Sequence, residues 1–110
     1  MEKPMKGGVV VIPFPFSDLS AMKKRPALVC ASLDGDDLIL CQITGEARFD
    51  AYSIKLAASD FINGELNLPS MIRPNRLFTA DIRIISYKVG RLNTEKNKEV
   101  TGAIIKIIDT

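Results

Sequence analysis

Arg25 closes the basic triplet Lys23-Lys24-Arg25 and stands directly before Pro26. A following proline disfavours helical backbone, so Arg25 leaves its segment in an extended conformation. A guanidinium held this way can grip a phosphate through two parallel hydrogen bonds, and it stays charged at every physiological pH. Thr44 ends an apolar stretch and is followed by Gly45. A hydroxyl beside a residue without a side chain suits phosphate contact, because a ligand can approach the backbone there. Taken singly, Lys-Lys-Arg is most often a solvated loop, and threonine is common at strand ends. The connection between the two residues changes the balance. Ala27–Ser32 reads as a short apolar strand, Leu33–Asp37 as a turn carrying Asp34-Gly35, and Leu38–Thr44 as the returning strand. A hairpin sets the start of its first strand beside the end of its second, so Arg25 and Thr44 are expected to converge.

The chain has 110 residues and no histidine. That removes imidazole acid–base catalysis, Ser-His-Asp and Cys-His arrangements and most catalytic zinc sites. Chemistry must therefore rest on arginine, lysine, carboxylates, hydroxyls or the backbone. With a net charge of +2, overall charge says little about nucleic acid. Its distribution says more: Arg73, Arg76, Arg83, Lys88 and Arg91 face only Asp81 over the same stretch. Such a stripe can track a phosphodiester backbone, with Phe14, Phe16, Phe49 or Phe78 to stack on bases. A soluble surface over core phenylalanines explains the same residues equally well. Asp34, Asp36 and Asp37 read as a solubilising turn rather than a metal site, since adjacent residues of a strand point opposite ways. Cys30 and Cys41, on facing strands, read as reduced core residues.

The elements that must position these groups are mostly strands. Gly8–Phe14 is a β-branched run with Pro13 near its end, and Pro15–Pro26 reads as a loop. After a polar loop over Gly45–Ala51, Tyr52–Leu56 alternates as a half-buried strand does. Ala57–Ser70 is mixed, with turn residues and the alternating pair Leu66 and Leu68. Arg73–Asp81 is a further strand, Asp81–Ser86 one helical turn, and Tyr87–Val89 a short piece ending at Gly90. In the tail, Val100, Ala103, Ile104, Ile107 and Ile108 form one helical stripe. Asn93 or Thr94 can cap that helix, with Glu95 in its first turn and Lys106 in its last. The pattern predicts a mainly β, α+β domain spanning residues 1–110: a small antiparallel barrel or sheet closed by a C-terminal helix. No apolar run reaches the roughly 18–20 residues that cross a bilayer, and Met1–Gly7 lacks a signal-peptide core, so a soluble, cytoplasmic protein is expected.

Several segments, in this order, resemble the MazF/PemK-like toxins of type II toxin–antitoxin systems. They are Gly8-Val-Val-Val-Ile-Pro-Phe14, Lys24-Arg25-Pro26-Ala27-Leu28-Val29, Cys41-Gln42-Ile43-Thr44, and Arg73-Pro74-Asn75-Arg76-Leu77-Phe78-Thr79-Ala80-Asp81. The resemblance covers nearly the whole chain, and Arg-Pro-Ala-Leu-Val is its most specific part. It implies an SH3-like, PemK-type barrel with a C-terminal helix, a homodimer, and a metal-independent endoribonuclease that cuts single-stranded RNA such as mRNA and is inhibited by a cognate antitoxin. No cofactor is implied. Family function rests on an arginine before the second strand and a threonine ending the third, which match Arg25 and Thr44. Phe14, Lys24, Gly45, Arg73, Asn75, Arg76 and Thr79 are the expected RNA contacts. Where some members carry an Asp, this chain has Asn75, and an amide cannot accept a proton as a general base. Phe78 likewise replaces an arginine of the family pattern. The alternative readings are a gyrase-binding toxin of the CcdB type, which shares the fold, or a non-catalytic RNA-binding relative. The tail Ile104-Ile105-Lys106-Ile107-Ile108-Asp109-Thr110 does not resemble the CcdB end, and Arg25 with Thr44 favours the nuclease.

Overall fold

The computed structural model describes residues 2–15, 22–45 and 50–110. Phe16 and Phe49, two of the candidate stacking rings, lie outside the described residues. Seven strands form one antiparallel sheet: β1 (Gly8–Pro15), β2 (Met22–Ser32), β3 (Asp37–Gly45), β4 (Ile54–Leu56), β5 (Phe61–Gly64), β6 (Ser70–Asp81) and β7 (Tyr87–Leu92). Their order across the sheet is β4-β6-β3-β2-β1-β7-β5. An α-helix, α1 (Thr94–Ile108), follows β7. Overall extents of 33 × 31 × 31 Å are nearly equal in all directions, whereas a flat sheet layer is only about 10 Å thick. The sheet is curled into a half-barrel, and the expected fold class is the one observed. Among the described residues no helix is long and apolar enough to cross a membrane.

The β-branched runs are explained by burial on both faces. Val9 and Leu28 enter one core cluster, while their neighbours Val10 and Val29 enter another. The first cluster continues through Cys41, Ile43 and Ile72 to Val100, so α1 covers that face. The second gathers Ile12, Ala27, Leu38, Leu40, Ala80 and Ile85. A sheet with both faces buried reads as continuous apolar sequence rather than clean alternation. Cys41 lies wholly within the first cluster, and Cys30, half-buried, packs against it; both are free thiols.

The helix forms where its stripe and caps place it. The Asn93 side chain accepts a hydrogen bond from the Lys96 N–H at 2.8 Å, and Glu95 and Lys106 occupy the first and last turns. Val100 is buried and Ala103, Ile104 and Ile107 half-buried, but Ile108 is exposed, so the packed stripe stops at Ile107. Asp81–Ser86 does hold one turn of 3-10 helix, over Ile82–Ile84.

β4 starts at Ile54 rather than Tyr52 and β6 at Ser70 rather than Arg73, and two elements differ more from expectation. β2 begins at Met22 rather than after Pro26, because Lys23, Lys24 and Arg25 pair with Phe14, Pro13 and Ile12 of β1. Pro26 is tolerated because the β2–β3 ladder starts only at Ala27, leaving β2 partnered on one side there. β5 pairs with β7 inside the stretch read as mixed, and β7 runs on through Gly90 to reach it. Gly64, at φ +77°, faces Gly90 across this pair. A Cβ on Gly64 would lie 2.1 Å from the Val89 carbonyl oxygen, and one on Gly90 would lie 2.3 Å from that of Asn63. The two backbones approach this closely because neither residue has a side chain.

Candidate functional site

Arg25 sits in β2 opposite Ile12, and Thr44 in β3 opposite Met71. The β2–β3 register pairs Ala27 with Gln42; continued by two residues, it sets Arg25 opposite Thr44. Both residues line one cavity of about 230 Å³, together with Pro26, Gly45, Asn67 and Ser70. The convergence expected from the hairpin is present. Arg25 is half-buried, while Thr44 is only 8% exposed. The Thr44 hydroxyl is itself buried and has no hydrogen-bond partner among the described residues. Nearly all buried polar groups are paired, so this one is energetically unfavourable in isolation. Gly45 is exposed at the end of β3, and a Cβ there would meet nothing among the described residues within 4 Å. The packing of the described residues does not require glycine at that position and leaves the side of Gly45 next to Thr44 uncovered by them.

The other predicted contacts divide by strand face. Because β2 includes the triplet, alternation sends Lys24 to the face opposite Arg25 and puts Lys23 on the same face. Lys24 therefore does not join Arg25. Phe14 shares Arg25's face, but its ring packs edge-on against Phe78 at 5.2 Å and an interplanar angle of 74°. Both rings pack against the second core cluster, so neither stands free as a stacking platform. Thr79 pairs with Ile39, five residues from Thr44 along β3, which is roughly 17 Å at the strand rise. It also faces the other way and does not belong to this site.

Arg73 is opposite Gln42, on the same face as Thr44, but it is ion-paired to Asp50. The Arg73 guanidinium, helped by the Tyr52 N–H and the Ser53 hydroxyl, holds the Asp50 carboxyl down at about 2. Arg73 therefore has a carboxylate beside it, supplied by a different segment from the position where Asn75 stands. Asn75 and Arg76 lie with Pro74 in a bulge of β6, between the pairs Gln42–Arg73 and Cys41–Leu77. Pro74, which has no N–H for the ladder, accounts for the bulge, and both polar residues are exposed on it rather than lining the Arg25–Thr44 cavity.

The basic stripe is not continuous in space. Arg83 is bound to Asp81, with its Nη2 2.6 Å from the carboxylate, and this interaction draws Asp81 down to about 2. Lys88 and Arg91 are on β7, separated from β6 in the sheet by β3, β2 and β1. Sequence reasoning missed Asp50 and the segment Leu66–Pro69 that walls the cavity. The first carried no signal, and the second only its alternating leucines. Asp34, Asp36 and Asp37 are exposed around the hairpin turn, and among the described residues no metal-holding cluster is formed.

A family model described as "PemK-like, MazF-like toxin of type II toxin-antitoxin system" matches residues 5–108. The chain belongs to this family. Solved structures with the same fold include MazF from Deinococcus radiodurans, 19% identical over the full length of both chains with a TM-score of 0.76. The MazF of a MazE–MazF complex from the same organism is 18% identical, with 98% of each chain covered and a TM-score of 0.76. An endoribonuclease from a Mycobacterial species is 16% identical, covering 99% of this chain and 94% of that one, with a TM-score of 0.72. No curated protein sequence matches the chain.

Proposed function

We propose that this family member is a metal-independent endoribonuclease that cuts single-stranded RNA such as mRNA at chosen sequences, works as a homodimer in the cytoplasm, and is neutralised by a cognate antitoxin. The observation that carries the reading is the shared cavity: it is lined by a guanidinium and by a buried hydroxyl without a partner among the described residues, beside a Gly45 that no described residue crowds. Family membership supports it, as do the fold neighbours solved as an endoribonuclease with its cognate antitoxin and as a MazE–MazF complex. The exposed Ile105 and Ile108 of α1 offer apolar surface for self-association.

The chemistry follows from what the site holds. The ribose 2′-oxygen attacks the adjacent phosphorus and loses its proton; the bond to the 5′-oxygen breaks and that oxygen gains a proton. The products are a 2′,3′-cyclic phosphate and a free 5′-hydroxyl. With no imidazole in the chain, the main contribution is stabilisation of the charged phosphorane. Arg25 neutralises its equatorial oxygens, and Thr44 turns to donate a hydrogen bond and orient the phosphate. Arg73, braced by Asp50, is a second cation on the same face.

The test is digestion of labelled single-stranded RNA in EDTA by the wild-type protein and by Arg25→Ala. Wild type is expected to leave cyclic-phosphate ends, and a folded Arg25→Ala protein to leave the RNA intact. Near-normal cutting by Arg25→Ala removes the mechanism. Intact RNA with the wild type, accompanied by trapped cleaved DNA in a gyrase assay, transfers the chain to the gyrase-binding class.

A further inference from the structure

The segment Leu66–Pro69 has two sides. One lines the cavity of Arg25 and Thr44; the other lines a neighbouring cavity of about 300 Å³ with Lys55, Ala57, Ala58 and Phe61. All four residues of the segment face both spaces, so the two cavities share a single wall. The second cavity has the size of a small-ligand pocket at the lower end of the usual range, roughly 300–1,000 Å³.

Its lining suits a flat, neutral, partly polar group. Leu68 is 76% exposed and Phe61 half-buried, and together with Leu66 they give the cavity apolar lining. Asn67 is exposed between the two leucines, and its amide offers both a donor and an acceptor. The nearby carboxylate of Asp60 is occupied: it accepts the Ala57 N–H at 2.7 Å and lies 3.5 Å from Lys96 Nζ. That carboxylate disfavours a second phosphate here, while Lys55, exposed at the rim, can meet one just outside.

We propose that this second cavity is a nucleobase subsite, taking the base of one nucleotide that flanks the phosphodiester held at Arg25 and Thr44. Leu68 and Phe61 cover the faces of the base, and Asn67 reads its edge. Unstacked bases in single-stranded RNA are recognised in this manner, by apolar faces and edge hydrogen bonds. The inference rests on the endoribonuclease reading and adds to it the residues that choose the sequence.

The experiment maps the 5′ ends produced from a long RNA, then measures cleavage of short oligonucleotides in which each flanking nucleotide is made abasic in turn. The variants are Ala58→Trp, which fills the cavity from an exposed position, and Asn67→Asp, on an exposed segment. For wild type, removing the base at one flanking position is expected to slow cutting roughly tenfold or more, the size of one stacking contact. Ala58→Trp should cut the intact oligonucleotide at that slower rate and be indifferent to base removal at that position. Asn67→Asp should change the preferred base there and nowhere else. Unchanged preference in both variants, with abasic sensitivity retained, overturns the subsite. A wild-type protein that cuts no RNA overturns the endoribonuclease reading itself, and the subsite with it.

Discussion

Replacing Thr44 by valine keeps the shape of the side chain and removes only its hydroxyl. That hydroxyl is buried and has no hydrogen-bond partner among the described residues, so its removal leaves no donor or acceptor stranded. A buried polar group without a partner carries a desolvation penalty of about 1–3 kcal/mol, and replacing it by an apolar group of the same shape is neutral or stabilising. Thr44→Val is thus expected to gain up to about 1 kcal/mol, which raises Tm by roughly 4–8 °C in a domain near this size. Catalysis moves in the opposite direction. Loss of one preorganised donor to a transition-state oxyanion costs about 10²–10³ in rate. The assay pairs a thermal melt with the rate of cleavage of a short single-stranded RNA at saturating substrate. A more stable protein that cuts at least a hundredfold more slowly marks a hydroxyl kept for chemistry at the expense of the fold. Wild-type cutting by a folded Thr44→Val protein removes Thr44 from the mechanism. A loss of stability beyond 1 kcal/mol refutes the premise, because the hydroxyl then has a structural partner.

Two further outcomes follow from single residues. Gly45→Ala should melt at the wild-type temperature, since its Cβ meets nothing among the described residues within 4 Å, yet bind and cut RNA more weakly because the methyl occupies the ligand's approach; equal activity would show that nothing approaches there. Asp50 is held at about 2, below its ordinary 3.8, so its ion pair with Arg73 stabilises the fold fully above pH 4 and is lost as pH falls toward 2. In acid titrations followed by circular dichroism, Asp50→Asn should be less stable than wild type at neutral pH, with the gap closing over that window. Asp81, also held at about 2, leaves a residual slope over the same window. A gap that stays constant from pH 6 to pH 2 would show that the Asp50–Arg73 pair contributes nothing.

The hairpin and the helix were legible because each rests on a local rule. Asp34-Gly35 between two apolar runs fixes β2–β3, and Asn93 with the Val100–Ile107 stripe fixes α1. The meeting of Arg25 and Thr44 followed from hairpin geometry, and it survived an error in where β2 begins. Lys24 did not survive that error: once the triplet is strand rather than loop, its face is decided by parity. Thr79 was misplaced because its distance from Thr44 depends on which residue of β3 it faces. β5 was hidden because Phe61-Ile62-Asn63-Gly64 carries turn residues and becomes a strand only by pairing with β7. Arg73 met a partner 23 residues away, Asp50, for which no local pattern exists. Contacts set by a local turn or cap were readable, including those across the β2–β3 hairpin; contacts between segments that no short turn joins were not.

The mutual close fit of Gly64 and Gly90 has a consequence for how this chain can change. It rivets β5 to β7 immediately before the stretch 65–69, and Ser70, paired with Gly45 and Leu56, fastens the stretch at its far end. Held at both ends, and with only Leu66 packed against the core, the exposed residues of that stretch can be exchanged without remaking the sheet. Any larger residue at either glycine would instead drive β5 off its neighbour and carry the cavity wall with it.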